Sequence, residues 1–248
     1  MDAKMRSPRL VKTIPAIGNL PELIVLDRPE KANALDAATV VQLHEVVNTA
    51  IAGGSPFALT SEGRAFCGGF DFSGVEQQTE GDLLLRFVRI ELLLQAVSSA
   101  PVPSFAVVNG AAFGAGADLV AACTYRIGTL RAKFRFPGFR FGVALGTRRL
   151  SAIVGVDQAR AILLENRVLP AGEARQMGLL THLVEESELL PTVERLRAQH
   201  AGLSGEAMAR VLRLSAADTN HADVSDLVRS LVPEGLHERI AQYRAGHS

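Results

Sequence analysis

At 248 residues, with 48% hydrophobic and 21% charged side chains, the chain has the composition of one well-buried globular domain, which excludes a disordered polymer. Its 26 basic residues balance 26 acidic ones, so the zero net charge gives no bulk reason to expect a nucleic acid or an anionic membrane as partner. Cys67 and Cys123 are too few for a disulfide scaffold and lack metal-ligand spacing, which leaves two reduced packing thiols. The opening "MDAKMRSPRLVKTIPAIG" lacks the continuous apolar stretch of a secretory signal, and no later run is long enough to span a bilayer, so the expectation is a cytoplasmic protein without a membrane partner.

The first predicted element is a strand at "LIVLD", 23 to 27, followed by a turn in "RPEKANAL" and a helix starting at Asp36. That helix, "DAATVVQLHEVVNTAIAGG", places Val40, Leu43, Val47 and Ile51 on one face and ends in a glycine pair. A short strand, "FALT" at 57 to 60, leads into "AFCGGFDF", which is too sharply punctuated for a helix and too glycine-rich for an ordinary strand. An apolar-striped helix over 82 to 100 is stopped by Pro101. Strand "SFAVVN", 104 to 109, runs into the glycine-rich turn and small-residue helix "GAAFGAGADLVAAC", and a further strand is "YRIG" at 125 to 128. Strands alternating with helices predict an α/β fold with a largely parallel sheet. From about residue 156 helical patterns dominate to the end, as a region packed on the core or on a neighbouring subunit.

Both glycine-rich segments follow strands on the same side of a parallel sheet, where α/β proteins place ligands. A helix start near residue 116 leaves free amides facing outward. No Gly-Lys-Ser/Thr follows, and G-x-G-x-x-G is absent, so neither a Walker site nor a dinucleotide fingerprint is present. Close helix-to-strand packing through small residues is the alternative reading of these glycines.

Six segments in order, "RPEKANAL", "GRAFCGGFDFS", "PVPSFAVVNGAAFGAGADLVAACTYRIG", "AKF", "GTRRLSAIVG" and "AGEARQMGLLTHLV", resemble the crotonase, or enoyl-CoA hydratase/isomerase, family over roughly residues 23 to 185. The resemblance implies a spiral of repeated ββα units over residues 1–185 and a helical oligomerisation region over 186–248. It also implies an acyl-CoA thioester substrate with no separate cofactor, and a homotrimer or dimer of trimers. Carried over by motif, the backbone N–H groups of Phe70 and Ala115 form an oxyanion hole for the thioester enolate, with Gly68 and Gly114 permitting the turns. Lys31, Ala32, Gly68, Asp71 and Phe72 then lie along coenzyme A.

The resemblance also implies two glutamates for water addition, and this chain has neither. Asp118 stands at the first position and Gly138 at the second, in a loop about three residues shorter than that of typical hydratases. Three readings stay open. Asp118 is a lone acid/base for isomerisation or thioester hydrolysis; or Arg135 and Arg140, flanking Gly138, hold a substrate carboxylate for decarboxylation; or the fold only binds CoA thioesters or a partner. The cluster Arg131, Lys133, Arg135, Arg140, Arg148 and Arg149 either attracts CoA phosphates or is a solvated basic face. Histidines 44, 182, 200, 221, 237 and 247 show no metal-binding spacing, so no metal is expected.

Overall fold

The computed structural model describes residues 10–232 and 235–246; His247 and the first nine residues of the opening segment lie outside these. Six strands form one sheet in the order β1 (Val11–Ile14), β2 (Glu22–Leu26), β3 (Phe57–Ser61), β5 (Ser104–Val108), β7 (Tyr125–Gly128) and β10 (His182–Leu183). A second sheet runs β4 (Ala65–Cys67), β6 (Ala111–Phe113), β8 (Lys133–Arg135) and β9 (Leu169–Pro170). Pairing is parallel throughout except at β1 with β2 and at β8 with β9.

Each turn of the spiral gives one strand to the first sheet, one to the second, and then a helix. The turns are β3, β4 and α2 (Glu80–Ser98), then β5, β6 and α3 (Ala115–Ala122). After β7 and β8 come a 3-10 turn (Gly138–Phe141), α4 (Thr147–Val154) and α5 (Val156–Glu165). This is the expected ββα spiral. The strands of the second sheet are two or three residues long, too short for an alternating pattern to register in the sequence.

Local chemistry sets the helix ends. Asp36 accepts from Thr39 N at 2.7 Å and starts α1 (Ala37–Ala52), which buries Val40, Leu43 and Val47. Thr79 and Asp82 form a capping box, so α2 begins two residues before the predicted position 82. Two charged residues, Arg86 and Glu91, share the apolar stripe of α2 and are buried with it. Helix α3 is buried along its whole length and sits close to β4: a Cβ on Gly116 would lie 2.4 Å from the Cys67 carbonyl oxygen. The small-residue packing reading is therefore right for Gly116. Both cysteines are buried, and burial pushes the Cys67 thiol up to about 12.

The C-terminal part is mostly helical, through α6 (Ala171–Gln176), α7 (Leu189–Gln199), α8 (Gly205–Leu214), α9 (Asn220–Leu231) and α10 (Leu236–Ala245). Strands β9 and β10 interrupt the helical stretch predicted from residue 156. Helix α7 covers one face of the first sheet through Leu189, Val193 and Leu196. Helices α9 and α10 insert Leu227, Leu231, Leu236 and Ile240 into the main core. Helix α8 has no fully buried residue, only a half-buried face of Ala207, Met208, Ala209 and Leu212.

Candidate active site

Parallel neighbours β4 and β6 deliver the two glycine-rich loops to one sheet edge. The loops touch there. Gly69 has φ +89°, and a Cβ on it would lie 2.5 Å from the Phe113 carbonyl oxygen and 3.3 Å from Ala115 N, so this approach requires glycine. A bridge to Leu35 fixes the first loop: Leu35 N donates to Gly69 O at 2.7 Å and Asp71 N to Leu35 O at 3.1 Å. Because that bridge uses the groups on either side of Phe70, the Phe70 amide faces the other way. In the second loop Gly114 N donates to Arg135 O at 2.8 Å, and Ala115 is the first residue of α3. Neither the Phe70 nor the Ala115 amide has a hydrogen-bond partner among the described residues, and both residues line one pocket.

That pocket is walled by aromatic rings from several elements. Phe70 stacks on Phe87 of α2 at 4.3 Å between centroids and meets Phe72 edge-on at 5.2 Å, while the Arg86 guanidinium lies 3.9 Å from the centre of the Phe70 ring. Phe141, from the 3-10 turn, and Tyr243, from α10, join the same ring cluster, 5.8 and 6.2 Å from Phe72 and 5.0 Å from each other between centroids. Phe87, Phe141 and Tyr243 carry no motif and were not expected from the sequence.

Asp118, in the first turn of α3, reaches the same pocket. It is buried, and its Oδ1 has no hydrogen-bond partner among the described residues. The carboxyl packs against Gly146, where a Cβ would come within 2.1 Å of Oδ1, so only glycine leaves it room. Burial holds Asp118 well above the usual carboxylate range, with the positive charge of Arg149 opposing and the negative charge of Glu91 reinforcing the rise.

Gly138 also lines the pocket, but its backbone is folded shut. Val143 N donates to Gly138 O at 2.9 Å, and a Cβ on Gly138 would lie 2.7 Å from the Val143 carbonyl oxygen. No side chain fits there without moving the turn.

The remaining predicted residues divide into those at the pocket and those turned away. Phe72, Gly68, Gly114 and Arg135 line it. Lys31 ends a 3-10 turn (Pro29–Lys31), and the Ala32 carbonyl accepts from Gly68 N at 2.8 Å, so both lie beside the first loop. Asp71 faces elsewhere: its carboxylate pairs with Arg28 at 3.2 Å and accepts from Ser73 N at 2.8 Å. Arg135 donates from Nε to Asn166 O at 3.1 Å and to its Oδ1 at 3.2 Å. Arg140 donates to the Leu164 and Glu165 carbonyls at 3.0 and 3.3 Å. Arg140 thus engages the C-terminal end of α5, whereas Arg135 is anchored through Nε to Asn166 and still lines the pocket.

The six-member basic cluster does not form a single patch. Arg131 pairs with Glu186, Arg148 with Asp223 and Asp226, and Arg149 with Glu91 and Asp223. Among the described residues no helix is long and apolar enough to cross a membrane, and no group of three metal-ligating side chains forms.

The model of the enoyl-CoA hydratase/isomerase family matches residues 22–228 of this chain. A protein named "Probable enoyl-CoA hydratase echA6" from Mycobacterium leprae is 36% identical over 64% of the chain and 66% of its own length. A crotonyl-CoA hydratase from Syntrophomonas wolfei is 31% identical over 84% of the chain and 81% of its own length. The crystal structure of a "putative enoyl-CoA hydratase/isomerase" from Bordetella parapertussis superposes with a TM-score of 0.92 at 38% identity, covering 95% of this chain and 98% of that one.

Proposed function

The chain belongs to the enoyl-CoA hydratase/isomerase family, a family of enzymes, and on that premise we propose that it moves a proton along an enoyl-CoA thioester through an enolate, with Asp118 as its sole acid/base. The observation that carries this reading is the pairing of one buried carboxyl with a closed position 138. Water addition across a double bond uses two groups, one to activate water and one to deliver a proton to carbon. A single carboxyl suffices for isomerisation. It takes a proton from C2 of a 3-enoyl thioester, leaving the pair delocalised onto the thioester oxygen as a dienolate. The oxygen pair then collapses to form C2=C3 while the C3=C4 π pair takes the same proton at C4, so that C3=C4 is lost as C2=C3 forms.

The Phe70 and Ala115 amides are the proposed donors to the thioester oxygen as it gains charge, each contributing about 3 kcal/mol at the transition state. An apolar wall of rings excludes water and strengthens both interactions. The raised proton affinity of Asp118 suits a shuttle, since a group titrating nearer the working pH is both a stronger base when charged and a ready acid when neutral. Coenzyme A enters as part of the substrate, alongside Lys31, Ala32 and Gly68. The engagement of Arg140 with the α5 carbonyls leaves the decarboxylase alternative without its pair of arginines.

Incubation of the purified protein with 3-enoyl-CoA and with crotonyl-CoA, followed by mass spectrometry and chromatography of the thioesters, tests this. The expected result is 2-enoyl-CoA from the first substrate and no 3-hydroxyacyl-CoA from the second, with turnover falling at least a hundredfold in Asp118→Asn. Hydroxyacyl product, or full activity in the variant, would overturn it.

A further inference from the structure

Behind Asp118 lies a set of buried charges that the proposed reaction does not use. Arg149 of α4 donates from Nη1 to Glu91 Oε2 at 3.2 Å and from Nη2 to Glu91 Oε1, and Nη2 lies 3.6 Å from Asp223 Oδ2. The side chains of Glu91 and Arg149 are 1% and 9% exposed. Both acidic partners are themselves held: Gln95 Nε2 donates to Glu91 at 2.9 Å, and Asp223 accepts from Thr219 Oγ1 at 2.6 Å and Arg148 Nη1 at 3.0 Å. The Arg149 fork is therefore occupied from α2 and α9. The Asp118 carboxyl packs against Gly146, at the N-terminus of the same α4 that carries Arg149, and its Oδ1 has no hydrogen-bond partner among the described residues.

We propose that Glu91 is a positioning residue that acts through Arg149: by holding the guanidinium against α2 it denies Asp118 an ion-pair partner and leaves that carboxyl free to carry a proton in the pocket. This rests on Asp118 being the acid/base group. An Asp–Arg pair at this spot would fix the carboxylate in its charged form and make it a poor base. With Glu91 and Asp223 absorbing the cation, burial dominates. Of the other titratable groups among the described residues, Arg135 and Tyr243 line the same pocket, and Cys67 on β4 lies against Gly116 of α3. Glu91 and Arg149 are the two whose charges bear on it.

Removing the Glu91 charge has a defined sign. The cation of Arg149 is no longer balanced, the charged form of Asp118 is favoured, and its titration midpoint falls. The test is a carboxyl 13C NMR titration of the full-length protein labelled at aspartate, with the Asp118 resonance assigned by its loss in Asp118→Asn. Glu91→Gln is expected to lower the midpoint by about one pH unit or more, a tenfold change in proton affinity. Asp223→Asn lowers it less, and Glu91→Gln combined with Arg149→Gln brings it back up. The acid limb of the kcat/KM profile should move in parallel.

A midpoint unmoved in both Glu91→Gln and Asp223→Asn overturns the proposal, and Asp223→Asn alone carries the test where the first variant does not fold. The readouts separate the two claims. A lowered midpoint without turnover of any enoyl thioester upholds the role of Glu91 and sinks the isomerase reading. Asp118-dependent turnover with a fixed midpoint does the reverse.

Discussion

An added Cβ at Gly138 would meet the Val143 carbonyl at 2.7 Å, and Gly138 O is already bonded to Val143 N, so a glutamate cannot simply be restored there. Gly138→Glu is predicted to lower stability by about 1–3 kcal/mol, the usual cost of overpacking, and to confer no crotonyl-CoA hydration. Thermal unfolding and a hydration assay check the two halves. Asp118 makes a second residue-scale prediction. Because its folded-state proton affinity is raised, the unfolded chain loses its proton first as pH rises above about 3.9, and stability declines until the folded group titrates. Every tenfold by which folding strengthens proton binding at this carboxyl adds about 1.4 kcal/mol to that decline. Tm measured from pH 4 to 8 should fall more steeply in the wild type than in Asp118→Asn; parallel curves would contradict the assigned burial effect.

At the scale of elements, the meeting of the two loops depends on Gly69. Gly69→Ala adds a methyl 2.5 Å from the Phe113 carbonyl and strains a backbone at φ +89°, so the loops must separate. Turnover should drop about 10²–10³-fold, as for loss of an oxyanion donor, while circular dichroism stays native. Retained turnover would remove these loops from the chemistry.

Much of this was legible in the sequence because local chemistry carried it. Asp36 announced α1, the glycine pairs announced loops at one sheet edge, and Asp118 and Gly138 stood out against the family pattern. What stayed hidden depends on distant partners. Glu91 and Arg149 are far apart in the chain, and nothing local says that a glutamate inside the apolar stripe of α2 answers an arginine on α4. Tyr243 reaches the pocket only because α10 folds back on the 3-10 turn. Arg135 and Arg140 flank Gly138 in sequence, yet Arg140 turns to the end of α5, whose exposed carbonyls compete for it, and Arg135 is anchored through Nε to Asn166.

At the scale of the whole molecule, α8 is only loosely covered, with Ala207, Met208, Ala209 and Leu212 half-buried. It buries none of its residues fully, and Val211 and Leu214 are 55% and 69% exposed, next to Leu203 at 49%. An amphipathic helix this exposed is what the homotrimer or dimer of trimers implied by the family resemblance would cover. Light scattering of the purified chain should give a multiple of three subunits, and Val211→Glu with Leu214→Glu should lower the mass; a wild-type monomer would contradict this.

The central claim is that the pocket forms a thioester enolate with Asp118 as the only proton carrier. It is tested most directly by hydrogen exchange at C2 of a bound acyl-CoA in deuterated water, followed by NMR. The account predicts deuterium uptake at C2 with the wild type and uptake reduced at least a hundredfold with Asp118→Asn. Equal uptake by both proteins would contradict it, as would no uptake by the wild type.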